Sequence, residues 1–124
     1  MAKLNDEMKE MFKNKQYAVV GTASKTGIPH AVAMGSPMVL DDETLCFACM
    51  SEGNTLHNLR ENPNVTVTVI DTNVNQHQMK GKATIETSGP LFDKFKAELA
   101  KFNAVPKCVV KVAVNEIYSL KPSK

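Results

Sequence analysis

The stretch QMKGKATIE, residues 78–86, changes polarity at nearly every step. Met79, Gly81, Ala83 and Ile85 fall on one side, with Lys80, Lys82, Thr84 and Glu86 on the other. A period of two predicts an extended strand with one buried and one wet face. A chain made of such strands must roll or stack its sheet to bury the apolar side. The pattern recurs. KCVVKVAVNEIYSL (107–120) puts Cys108, Val110, Val112 and Val114 on one side, and NVTVTVID (64–71) is dense in β-branched residues. YAVVGTA (17–23), IPHAVAMGSPMVL (28–40) and LCFACM (45–50) read as further strands. SKTG, with Gly27 free to take a positive φ, and LDDET (40–44) supply turns. Six or so strands joined by hairpins predict an antiparallel barrel or sandwich.

Helical spacing appears three times. Leu4, Met8, Met11 and Phe12 form one stripe that ends near Lys15. Leu56 and Leu59 mark a short helix closed by Asn62-Pro63. In SGPLFDKFKAELAKF (88–102), Leu91, Phe92, Phe95, Leu99 and Phe102 share a face, and Pro90 suits a first helical position. All three stripes are expected to face the core. No repeat or linker divides the 124 residues, so a single domain is expected.

The composition narrows the function. Hydrophobic content of 43% with 23% charged residues fits a globular protein, and no apolar run nears the roughly 20 residues that cross a bilayer. The opening MAKLNDEMKEMFKNK looks like an amphipathic helix and not a signal peptide, so a cytoplasmic, non-membrane protein is expected. Net charge is +2, carried by scattered lysines and a lone Arg60, and Trp is absent. Nucleic-acid binders concentrate basic charge on one face, and single-strand binders add aromatic platforms, so a nucleic-acid partner is not expected.

His30, His57 and His77 are far apart and no Cys/His cluster has zinc spacing, so no metal is expected. Asp41, Asp42 and Glu43 read as turn formers. No nucleophile elbow, P-loop or dinucleotide fingerprint occurs, and no catalytic residue is assigned. Cys46 and Cys49 spell C-x-x-C inside a strand, where residues three apart point to opposite faces. A structural role is expected for them.

Two places carry a site signal. The doubly apolar HAVAMGSP is either an edge-strand kink or a flat surface for a ligand. At CMSEGNTLHNLREN (49–62) a strand hands over to a helix through Ser51, Gly53, Asn54 and Thr55. The first turn of a helix leaves N–H groups unpaired and carries partial positive charge. A side-chain cap answers that demand, and so does a bound phosphate.

The order of the segments resembles the FMN-binding split barrels, the superfamily of pyridoxamine 5'-phosphate oxidase and the small bacterial FMN-binding proteins. The likeness runs through the opening helix, YAVVGTASKTGIPHAVAMG and LDDETLCFACMSEGNTLHNLRENPNVTVTVID, then a K-G-K-A strand, a G-P-x-F helix and V-V-K-V-x-V. It implies a mainly β fold, a six- to seven-stranded antiparallel split β-barrel with about three α-helices, and FMN as cofactor. By the same likeness Ala33, Met34, Gly35 and Ser36 would border the flavin ring, and Ala48, Cys49, Met50 and Ser51 the ribityl chain. Asn54 and Thr55 would hold the phosphate. Asn54 stands where many relatives carry Lys or Arg, and Lys80 would supply the missing cation. The resemblance implies a homodimer with flavin at the subunit interface, completed by the partner's C-terminal segment, and an unidentified redox partner. True pyridoxamine 5'-phosphate oxidases use several arginines for phosphates, so with Arg60 alone that activity is not expected. The implied function is a flavin-dependent oxidoreductase or electron-transfer protein. The alternatives are a non-catalytic flavin carrier, or a split barrel that takes haem or a deazaflavin.

Overall fold

A computed structural model describes residues 2–15 and 17–120. The elements run α1 (Asp6–Asn14), β1 (Ala18–Ala23), β2 (Pro29–Met34), β3 (Met38–Asp41), β4 (Thr44–Cys49), α2 (Asn54–Glu61), β5 (Asn64–Ile70), β6 (Gln76–Glu86), α3 (Pro90–Ala100) and β7 (Cys108–Leu120). The strands form one antiparallel sheet in the order β2-β1-β5-β6-β7-β4-β3. The two edge strands, β2 and β3, do not pair with each other, so the sheet curls without closing. This is a split barrel.

The alternation of QMKGKATIE survives intact: Met79 and Gly81 are buried while Lys82 and Thr84 are exposed. One irregularity interrupts the β6–β7 ladder, where the register shifts between Lys80 and Gly81. A Cβ on Gly81 would run into the Ala113 carbonyl oxygen across this bulge, so close backbone approach requires glycine there. Gly27 takes φ +91° in the β1–β2 turn, as its sequence context predicted.

The segment 28–40, read as one kinked strand, is two strands at opposite edges of the sheet. The break has a clear cause. Pro37 offers no ladder donor, and the Ser36 hydroxyl takes over ladder duty on β4, accepting from the Ala48 N–H (3.1 Å) and donating to its carbonyl (3.3 Å). Lys15 Nζ donates to the Gly35 carbonyl at the same corner (3.1 Å). The chain thereby steps from one edge of the split to the other within three residues.

Two apolar clusters hold the fold. The larger fills the barrel with Val20, Leu45, Phe47, Val67, Met79, Val110 and Val112, and it is sealed by Leu4, just before α1, and by Met8, Met11 and Phe12 of α1. The smaller lies beneath α3, where Phe95 meets Cys46, Ala48 and Val109. Strand β4 is therefore buried on both faces, which explains why LCFAC has no polar residue. The α3 stripe ends earlier than its sequence predicted. Asn103 sits at φ +57° in a turn after the helix, and Phe102 is 79% exposed rather than in the core.

Candidate functional site

The strand-to-helix junction opens into the split. β4 ends at Cys49, buried on the barrel side, and α2 begins at Asn54 with Gly53 as its N-cap. No side chain caps this helix, despite the supply of Ser51, Asn54 and Thr55. Its first intrahelical bond runs from the His57 N–H to the Gly53 carbonyl (3.0 Å), leaving the N–H groups of Asn54, Thr55 and Leu56 without helical partners. By contrast α1 is capped by Asn5, which accepts from the Met8 N–H.

That uncapped end faces a cavity of about 480 Å³ lined by β2, β4 and the start of α2. The structure brings together Met34, Gly35, Ser36, Ala48, Cys49, Met50, Ser51, Asn54 and Thr55 around it. Two residues proposed from the sequence lie elsewhere. Ala33 projects from the other, exposed side of β2. Lys80 lines a neighbouring groove of about 820 Å³ with Gly21, Thr66 and Lys82, its ammonium 4.8 Å from the centre of the Tyr118 ring. His30 borders both spaces.

The sequence did not single out His30, Val32, Leu56 or Leu99, all of which also line the smaller cavity. Alternation could have found the first two, since His30 and Val32 share a face with Met34. Leu99 arrives on α3, where its helical stripe pointed to the core and not to this site.

The electrostatics around the junction are definite. Glu52 receives two bonds from Arg60, each 3.0 Å, and lies 3.9 Å from Lys107 Nζ. The Arg60 bonds hold the Glu52 carboxyl below the usual carboxylate range. Arg60 is thus already committed to the loop that precedes α2. Asn58 is buried on the same helix and donates to the Thr22 hydroxyl (3.1 Å), fixing α2 against β1. A phosphate at this end would meet backbone N–H groups and the helix dipole, with hydroxyls at Ser51 and Thr55.

The cysteines divide as strand geometry predicted. Cys46 faces the α3 cluster, where burial pushes its thiol up to about 11, and Cys49 faces the barrel. Among the described residues no three His, Cys, Asp or Glu side chains are placed to hold a metal ion, and no helix is long and apolar enough to cross a membrane.

Comparison with known proteins places this geometry in context. A family model described as pyridoxamine 5'-phosphate oxidase matches residues 4–121. An uncharacterised protein of Methanocaldococcus jannaschii is 33% identical over 126 residues, covering 98% of this chain and 83% of its own. HupZ of Group A Streptococcus superposes with a TM-score of 0.88 at 26% identity, covering 97% of this chain and 96% of its own. An FMN-binding protein from Syntrophomonas wolfei shares the fold, with a TM-score of 0.81 at 15% identity over 94% of this chain and 85% of its own.

Proposed function

This chain belongs to the pyridoxamine 5'-phosphate oxidase family, and from that premise we propose that it binds FMN and uses it in electron transfer. The observation that carries the reading is the helix end at Gly53, which lacks a side-chain cap and opens into a cavity rimmed by Ser51, Asn54 and Thr55. A phosphate would take the three unpaired N–H groups, and the two hydroxyls would complete its shell. A volume of about 480 Å³ lies within the usual range for small-ligand pockets. Val32, Met34, Leu56 and Leu99 give the cavity an apolar wall suited to a flat ring system.

Bound FMN would supply the hydride or electron chemistry. The chain's own part is to seat the phosphate at α2, hold the β2–β3 corner rigid through Ser36, and keep the ring against apolar side chains. His30 and Cys49 are the titratable side chains lining this space among the described residues, and neither has a carboxylate partner. That arrangement suits redox chemistry carried by the cofactor better than acid/base hydrolysis.

The test is direct. Thr55→Val combined with Ser51→Ala removes two charge-assisted bonds, each worth about 1.5–3 kcal/mol. The FMN dissociation constant, followed by flavin fluorescence, is expected to rise at least a hundredfold; an unchanged constant sinks the assignment. Turnover with NADH or NADPH then separates an oxidoreductase from a carrier, since a carrier would accelerate flavin reduction no more than free FMN allows.

The proposal includes a homodimer. On the outer face of the sheet, Val19, Ile70, Tyr118 and Leu120 are exposed on strands β1, β5 and β7, and Tyr118 and Leu120 line a further groove of about 380 Å³ that shares Lys80 with the larger one. Exposed apolar residues grouped on neighbouring strands call for a cover, and a second copy would also wall the groove. Sedimentation equilibrium at micromolar concentration is expected to give twice the 13.6 kDa chain mass. A monomer there would remove the interface from the proposal.

A further inference from the structure

Cys46 and Cys49 lie on opposite faces of β4, so the neighbour of Cys49 comes from another strand. In the β4–β7 ladder the residue directly opposite Cys49 is Cys108, whereas Cys46 faces Lys111. Directly opposed residues of antiparallel strands project to the same side, with Cα atoms about 4.5–5.5 Å apart. That spacing falls inside the roughly 4.4–6.8 Å that a disulfide spans. Both residues belong to the barrel cluster, and Cys49 also lines the smaller cavity.

The pair sits where the ladder ends. Cys49 is the last residue of β4 and Cys108 the first of β7, followed and preceded by loops that can absorb a small closure. Arg60 and, more weakly, Lys107 favour negative charge on Cys108, while the Glu52 carboxylate that pairs with both opposes it. A hydrogen bond between the two thiols lowers the Cys108 pKa and raises that of Cys49, and the Arg60 charge adds to the first effect against burial. The pair therefore shares one proton more readily than two isolated buried thiols would.

We propose that Cys49 and Cys108 are a redox-active pair that closes to an intrachain disulfide in the cavity wall when it meets a two-electron oxidant of the peroxide class. The charged sulfur attacks one peroxide oxygen. The O–O bond breaks and the departing hydroxide takes up a proton to become water, leaving a sulfenic acid. The protonated partner then attacks the sulfenic sulfur, the S–O bond breaks, and a second water leaves with the partner's proton. Two thiols lose one electron pair between them, and one peroxide becomes two waters. The assignment does not depend on flavin binding. Cys46, alone on the opposite face with its thiol pushed up by burial, is a built-in control.

The experiment treats the reduced full chain with one equivalent of hydrogen peroxide, then counts thiols after denaturation. The count should fall from three to one, with a mass loss of two hydrogens and no cross-linked chains on a non-reducing gel. Cys46→Ala should fall from two thiols to none, which places the bridge between Cys49 and Cys108 without mutating either. Retention of both thiols in Cys46→Ala would overturn the proposal. So would a link between chains, or a sulfinic acid at one sulfur with the other free.

Discussion

Exchanging Thr55 for aspartate is expected to weaken FMN binding by a factor of about a hundred or more while leaving the chain folded. Thr55 is the second residue of α2, 7% exposed, on the rim of the smaller cavity. A carboxylate in the first turn of a helix interacts favourably with the dipole, by about 0.3–1 kcal/mol, which offsets only part of the cost of desolvating a charge at this largely buried position, so a modest loss of stability is expected. Toward a phosphate the same charge is repulsive. Two unit charges 4 Å apart cost about 4 kcal/mol at an effective dielectric near 20. The FMN dissociation constant should therefore rise by a factor of about a hundred or more, while riboflavin, which carries no phosphate, binds the variant as it binds the parent. Fluorescence titration with both flavins, beside a thermal melt, reads the two effects separately. Equal FMN affinity in variant and parent would place the phosphate elsewhere.

Phe47→Ala is expected to produce the largest loss of stability. Phe47 is fully buried at the centre of β4, among the barrel residues and opposite Val110. Truncating a buried aromatic typically costs about 3–5 kcal/mol, the sum of lost transfer energy and a cavity its neighbours cannot fill. Domains of this size are held by about 5–15 kcal/mol in total, so the variant would lose a large share of its margin. Urea denaturation should show the midpoint drop with little change in slope. Phe102→Ala is the contrast, because that ring is 79% exposed and its removal should change stability by under about 0.5 kcal/mol. Equal losses at the two positions would mean the core is elsewhere.

That contrast marks where sequence reading reached and where it stopped. Phe95 and Phe102 both looked core-facing, because a helical period continues through residue 102 on paper. The helix instead ends at Ala100 and turns at Asn103, a change of direction imposed by the return to β7. The smaller cavity shows the same division. The stretch from Ala48 to Thr55 was legible because helix ends have local chemistry that a few adjacent residues announce. Leu99 was not, since it reaches the cavity from a helix more than forty residues later. Lys80 had the right charge for a phosphate partner and lines the adjoining groove instead.

The sequence by itself determined the faces. Period-two and helical stripes named the buried sides of β6, β7 and α1, and the composition of the chain suited one core. It also located the strand-to-helix junction at 49–55, but left a side-chain cap and a phosphate seat as alternatives; the structure shows the end without a side-chain cap. Only the tertiary structure decided the partners: β2 and β3 at opposite edges, Cys49 across from Cys108 rather than near Cys46, Asn58 against Thr22. The physical reason is range. Burial of a face is fixed by neighbours two to four residues away, whereas a pairing across sixty residues depends on how the whole sheet curls around one core.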